Sequence, residues 1–199
     1  MTDLTETALM LAESLGGRSG LNCIAELDPT ASEQARKLME SGKENLPLAG
    51  IPVLIKDNID VKGLHTTAGS LALEDNIAVS GAPIISNLRR NGAVILGKTK
   101  MTEFANYVTD GMPAGYSSRG GQVIHAVDPH LSPSGSSSGS GVAVSARIVP
   151  MAVGTDTSFS IIACALANGI CGLKPPIGSL SQEGIIPTVP NTGYSSNSF

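Results

Sequence analysis

Apolar residues along the chain alternate between two periods, and the alternation sets out the elements. Leu4, Ala8, Leu11, Ala12 and Leu15 recur at helical spacing, which predicts an amphipathic helix over residues 3–15. Asp3 and Glu6 stand at capping-box spacing ahead of it, and Gly16-Gly17 closes it. Residues 21–27 read as extended. A second helix is predicted from Thr30 to Glu40, with Thr30 and Glu33 as the capping pair and Gly42 beyond. Two short continuous apolar runs, residues 51–55 (IPVLI) and 93–97 (AVILG), suit strands buried on both faces. Between them lies a helix over 82–91, with Pro83 in its first turn and Gly92 past its end.

Further on, the pattern predicts a short helix at 99–106, a long Gly-, Ser- and Pro-rich stretch over 111–138 and a small-residue helix at 139–147. A strand at 149–153, a helix at 160–168 and a strand at 170–173 follow. Residues 187–199 are turn-rich and give no packing signal. Strands alternating with helices argue for an α/β sheet that is at least partly parallel.

Composition narrows the function classes. The 199 residues are 41% hydrophobic and 15% charged, enough apolar material for a core and too little charge for wholesale disorder. A net charge of −4 argues against a nucleic-acid partner. With no Trp and 3% aromatic residues, stacking platforms for bases have little to be built from. Cys23, Cys164 and Cys171 have no repeated spacing and read as buried free thiols of a reducing compartment. The N-terminus lacks a basic segment followed by an apolar one, and the longest uncharged stretch, 157–173, is too short and polar to span a bilayer. The expectation is a cytoplasmic chain with no membrane partner. His65, His125 and His130 are scattered, give no metal site, and read as surface or loop residues.

The densest chemical feature is SPSGSSSGSG at 132–141. By composition alone it reads as a flexible linker, but apolar segments flank it closely. A phosphate loop of the Walker type needs Lys where Val142 stands, and a dinucleotide fingerprint starting at Gly139 needs Gly where Val144 stands. Gly135-Ser136-Ser137-Ser138-Gly139 satisfies G-x-S-x-G, yet no strand precedes it and all three His lie upstream. What remains is a serine nucleophile whose base is not histidine. Lysine serves when burial lowers its pKa from ~10.4 toward neutrality. Lys56, at the end of IPVLI, is the candidate, although a lone strand-end lysine reaches solvent as readily.

Four collinear blocks then carry a resemblance. LAGIPVLIKDNIDVKG (48–63), NGAVILGKTKMTEFAN (91–106), SPSGSSSGSGVAVSA (132–146) and VGTDTSFSIIACALANGICGLKP (153–175) together resemble the amidase signature family, over most of the chain. The resemblance implies an α/β fold with a mixed central sheet covered by helices, incomplete in this chain. Residues 1–199 would be the N-terminal part of a single domain whose motif core is about 48–187.

It also implies a Ser–Ser–Lys triad. By motif match the base is Lys56, the bridging serine Ser136 after a cis Gly135–Ser136 peptide, and the nucleophile Ser160. The backbone N–H groups of Thr157, Ser158, Phe159 and Ser160 would form the oxyanion hole. Neither cofactor nor metal is implied, and the substrate would be a small-molecule amide, cleaved to acid and amine through an acyl-enzyme.

Departures from the family pattern qualify this. Ser134, Ser138, Ser158 and Phe159 stand where the family has Gly, and Ile162 where many relatives have Arg. If position 159 needs a positive φ, Phe159 is strained there and its ring crowds the acyl pocket. The alternatives are therefore a truncated, catalytically impaired amidase-like fragment and an amidotransferase A-type subunit. A strand at 170–173 left without its neighbour would expose an edge through which the chain could self-associate.

Overall fold

The computed structural model describes residues 2–187 and 197–198. Its centre is a mixed sheet built from β1 (Ile24–Leu27), β2 (Pro52–Lys56), β3 (Val94–Thr99) and β6 (Met151–Val153), in the order β1-β3-β2-β6. β2 runs parallel to both β3 and β6, and β1 runs antiparallel to β3. The parallel strands are the continuous apolar runs, and every residue of β2 and β3 is buried. Such strands need cover on both faces.

The cover divides by strand periodicity. Leu54, Val94 and Leu96 face a core closed by α1 (Thr2–Ser14), α2 (Ala31–Glu40) and α4 (Ser138–Ser145), through Ala8, Ala12, Ala35, Val142 and Ala143. Val53, Ile55, Ile95 and Val153 face the opposite core, closed by Ile85 and Leu88 of α3 (Pro83–Arg90) and by Ile59, Val61 and Leu64. The sheet is thus a partition between two apolar layers, and the ends of β2 and β3 open onto the loops that carry the polar residues.

Two small two-stranded ladders complete the structure. β4 (Tyr116–Ser117) and β5 (Gly121–Gln122) form a hairpin inside the long Gly- and Ser-rich stretch, and β7 (Thr155–Asp156) pairs with β8 (Asn197–Ser198). The last helix, α5, spans Ile162–Ala167.

Several local expectations need correction. α1 starts at Thr2, so Asp3 and Glu6 lie within the helix, and its buried face is Thr5, Ala8 and Ala12 with Leu4 half exposed. Thr30 makes no side-chain cap. Asp28 takes over, accepting from Thr30 N (2.8 Å), Thr30 Oγ1 (2.7 Å) and Gln34 Nε2 (2.9 Å), while Glu33 pairs with Lys37. Residues 99–106 are not one helix: Thr99 ends β3, and Phe104, Ala105 and Asn106 are left-handed. Residues 170–173 form no strand, and Cys171 and Leu173 are exposed. The sheet edge on that side is β6 instead. His125 is buried, its Nε2 2.9 Å from Ala167 O, while Nδ1 accepts from Val127 N and Asp128 N. The turn-rich tail falls mostly outside the described residues.

Two glycines set how closely these pieces approach. Next to Gly97 the β2–β3 ladder skips Leu96, and a Cβ at Gly97 would collide with the carbonyl of Glu26. At Gly139, in the first turn of α4, a Cβ would sit 2.5 Å from the carbonyl oxygens of both Cys23 and Lys100. Backbone cannot yield as a flexible side chain does. Gly139→Ala is therefore expected to destabilise the fold by about 2–3 kcal/mol, read as a lower denaturation midpoint at unchanged m-value. An unchanged midpoint would mean that α4 can back away from β3.

Candidate active site

Lys56 is the last residue of β2, and its side chain is fully buried. Strand geometry aims it past the sheet edge into the turn ahead of α4. There its Nζ lies 2.7 Å from Ser136 Oγ, 2.9 Å from Ser137 Oγ and 2.8 Å from Thr155 Oγ1. Thr155 O, at 3.2 Å, completes an oxygen cage, and Asn58 Nδ2 donates to Thr155 Oγ1 over 3.1 Å. Burial pushes the Lys56 amine down to about 7, against the opposing pull of Cys164 and Asp156. The site thus combines a poorly hydrated amine with hydroxyl groups in direct contact.

Ser136 Oγ lies 3.0 Å from Ser160 Oγ. Lys56, Ser136 and Ser160, separated widely in sequence, therefore form one continuous chain of hydrogen-bonding atoms. The Gly135–Ser136 peptide bond is cis. The loops carrying the two serines are also joined through the backbone, Ser137 N donating to Ser160 O at 3.3 Å.

The turn over 157–160 is ordered from behind by Asp156. This carboxylate is fully buried; Oδ2 accepts from Ile161 N at 2.8 Å and Ile162 N at 3.4 Å. Oδ1 lies 2.7 Å from Lys174 Nζ, which also reaches Thr157 O at 3.4 Å. Asp156 thereby fixes the two residues that follow Ser160 while Lys174 balances its charge. The N–H groups of Ser158, Phe159 and Ser160 donate to no acceptor among the described residues.

Phe159 is not strained in the way the family pattern suggested. Its φ does not lie in the left-handed region, and its side chain is 70% exposed. The unusual backbone is at Ser134, with φ 60°. There a second departure compensates the first: Ser138 Oγ donates to Ser134 O at 2.5 Å. A left-handed non-glycine residue costs on the order of 1 kcal/mol, and this hydrogen bond supplies a similar amount.

Sequence reasoning singled out Lys56, Ser136 and Ser160, and these come together. It did not single out Ser137, Thr155, Asn58, Asp156 or Lys174. Asp156 sits inside the quoted GTDTSFS block and Lys174 in GLKP, so proximity to the motifs was the available signal. Among the described residues no group of three or more His, Cys, Asp and Glu side chains could hold a metal ion.

Comparison with known proteins gives the family. The chain is 41% identical over 175 residues to a probable amidase of Arabidopsis thaliana, covering 84% of this chain and 34% of that protein. It is 39% identical over 186 residues to the A-type subunit of the glutamyl-tRNA(Gln) amidotransferase of Deinococcus radiodurans, covering 92% of this chain and 37% of that one. Among solved structures it superposes on the native peptide amidase of Stenotrophomonas maltophilia with a TM-score of 0.89 at 41% identity, covering 94% of this chain and 39% of that chain. The chain spans about a third of the length of the curated relatives it matches. The Amidase family model matches residues 3–197, and the chain belongs to the amidase family.

Proposed function

We propose that this chain carries the nucleophilic centre of an amide hydrolase, with Ser160 as nucleophile, Ser136 as proton bridge and Lys56 as base. The observation that carries the reading is the unbroken contact from Lys56 Nζ to Ser136 Oγ (2.7 Å) and on to Ser160 Oγ (3.0 Å), ending on a fully buried amine. A neutral amine has two N–H donors and one lone pair. Thr155 Oγ1 and Ser137 Oγ are placed to accept the donors, which leaves the lone pair for the Ser136 hydroxyl proton.

The reaction follows from that arrangement. Ser160 Oγ attacks the amide carbonyl carbon as its proton passes to Ser136 Oγ, whose own proton passes to Lys56 Nζ. The carbonyl oxygen gains negative charge and is met by backbone N–H groups of the 157–160 turn. Such preorganised donors act where water is excluded and are worth several kcal/mol. The proton then returns along the same path to the leaving nitrogen as the C–N bond breaks. Water enters, gives its proton to the relay, and cleaves the ester to free acid and Ser160. The substrate is a small-molecule amide. An amidotransferase-subunit role, as in the Deinococcus relative, would use the same nucleophile.

Fluorophosphonate labelling followed by peptide mapping tests the assignment. The label is expected on Ser160, and Ser160→Ala is expected to abolish labelling. Attachment to Ser137 or Ser140 would overturn it.

The pH profile has a defined sign. The amine must be neutral to accept a proton, and it is neutral above about 7. The acylation rate is expected to rise with pH through about 7 with unit slope and then level off. A profile that rises only near 10 would place Lys56 in contact with water.

Asp156 acts through position. Asp156→Ala frees Ile161 N and Ile162 N and leaves Lys174 without its partner. Acylation of Ser160 is expected to slow by roughly ten- to hundredfold, with Asp156→Asn partly restoring it because the amide oxygen can still accept from Ile161 N. The pH midpoint set by Lys56 should move down, because the Asp156 charge that opposes the lowering by burial is gone, and no change in rate would remove Asp156 from the mechanism.

A further inference from the structure

A second polar cavity, of about 360 Å3, opens beyond the C-terminal end of β3 and contains none of Lys56, Ser136 and Ser160. Three cations line it: Arg18 from the loop after α1, Lys100 from the residue following β3, and Arg119 from the turn between β4 and β5. Its acidic lining residues are Asp57 and Glu74. In a chain of net charge −4, a cavity with more cations than carboxylates is a local reversal.

The pairing of these charges is what makes the cavity informative. Asp57 is committed elsewhere, accepting from the backbone N–H groups of Thr67 and Gly69 and from the Thr67 hydroxyl. Among the described residues no carboxylate oxygen lies within ion-pair distance of Arg18, Lys100 or Arg119. Neither guanidinium makes a hydrogen bond to a described residue; Arg119 is held only by its backbone N–H, which donates to Gly69 O at 3.1 Å. Arg119 is nonetheless half buried. Lys100 is 7% exposed, and its amine donates to Asn22 Oδ1 and to Gly120 O at 2.9 Å, using two of three protons. Burial and then the positive charge of Arg18, with that of Arg119 adding to it, push the Lys100 amine down to about 8. The three cations repel one another across the cavity, and its carboxylate Glu74 stands beyond ion-pair distance of each of them.

We propose that this cavity is a binding site for a small oxyanion, a phosphate or the carboxylate group of an organic acid, held between Arg119, Arg18 and Lys100. Guanidinium forks match such oxygens in two-point geometry, and a bound anion cancels repulsion that the fold otherwise carries. The site is built by Asn22, whose amide donates to Gly120 O (2.9 Å) and Gln122 O (2.8 Å) and so fixes the hairpin turn bearing Arg119 against Lys100. It also abuts the serine loop through the backbone, because Gly139 N donates to Lys100 O and Thr102 N to Ser136 O.

Isothermal titration of the 199-residue chain with inorganic phosphate, and separately with malonate, at ionic strength held constant with sodium chloride, tests this. One saturable site is expected for at least one of the two, and the tighter probe names the anion class. Arg119→Gln is expected to weaken binding about tenfold or more, the equivalent of one charged hydrogen bond. Its side chain makes no hydrogen bond or ion pair with a described residue, so folding is expected to be unchanged by circular dichroism. Arg90→Gln, the same charge change on an exposed residue of α3, should leave the affinity as it was. No saturable binding of either anion would overturn the proposal. So would equal weakening by the two variants, or full affinity in Arg119→Gln. Ser160→Ala is expected to bind the anion like the parent, so this result stands or falls apart from the assignment of the nucleophile.

Discussion

The burial of one amine governs the site. A lysine side chain removed from water loses the hydration that stabilises its charge, and in exchange it becomes a base near neutral pH. That exchange constrains everything within reach of Lys56. The surrounding groups must be oxygens close enough to occupy its N–H donors, yet none may be a carboxylate in direct contact, which would hold the proton on. Ser136, Ser137 and Thr155 meet the first condition, and Asp156, turned toward Lys174 and the Ile161 backbone, meets the second. The same condition explains why Lys56 ends a strand buried on both faces: no shorter or more mobile element would keep water off it.

The neighbouring strand repeats the device to another end. Lys98 on β3 is equally buried, but its amine donates to the carbonyls of Ile59 (2.7 Å), His65 (2.8 Å) and Asp57 (3.3 Å). Carbonyls accept and cannot give a proton, and the hydroxyl within reach, Thr66 Oγ1, is farther off at 3.4 Å, so Lys98 serves instead to gather the loop after Lys56. Two buried lysines on adjacent strands thus differ in role through the chemistry of their acceptors. Burial lowers both, Lys56 to about 7 and Lys98 to about 8.

Much of the fold was legible because the strongest signal, the continuous apolar run, marks strands that must be covered on both sides. IPVLI and AVILG became β2 and β3, and the helix between them fell where Pro83 and Gly92 placed it. Errors arose where tertiary contacts overrode local patterns. Thr30 and Glu33 have capping spacing, but Asp28 takes both the Thr30 N–H that Glu33 would have accepted and the Thr30 hydroxyl itself. Residues 170–173 are apolar enough for a strand, but no neighbouring strand pairs with them. The candidate serines Ser136 and Ser160 were legible through motif resemblance, since no periodicity links positions 56, 136 and 160, whereas Lys56 also stood out at the end of an apolar run. Asp156 and Lys174 escaped notice because a positioning role depends on contacts that appear only after folding. The anticipated strain at Phe159 was misplaced for a related reason: which position of a glycine-poor loop turns left-handed is decided by the loop's closure, here at Ser134.

The segment 132–141 has the composition of a flexible joint, yet Ser136 to Gly141 are all buried and Gly139 is wedged between two backbone carbonyls. Small residues stand there because there is no room for larger ones. In the unfolded chain its glycines sample more conformations than any other residue, so fixing them costs more backbone entropy than fixing the strand residues beside them. The stretch that holds Ser136 is therefore also one whose order depends heavily on its surroundings. Its precision is lent by the walls of β3 and α5, and a change that loosens either wall would release the serines long before the sheet itself gave way.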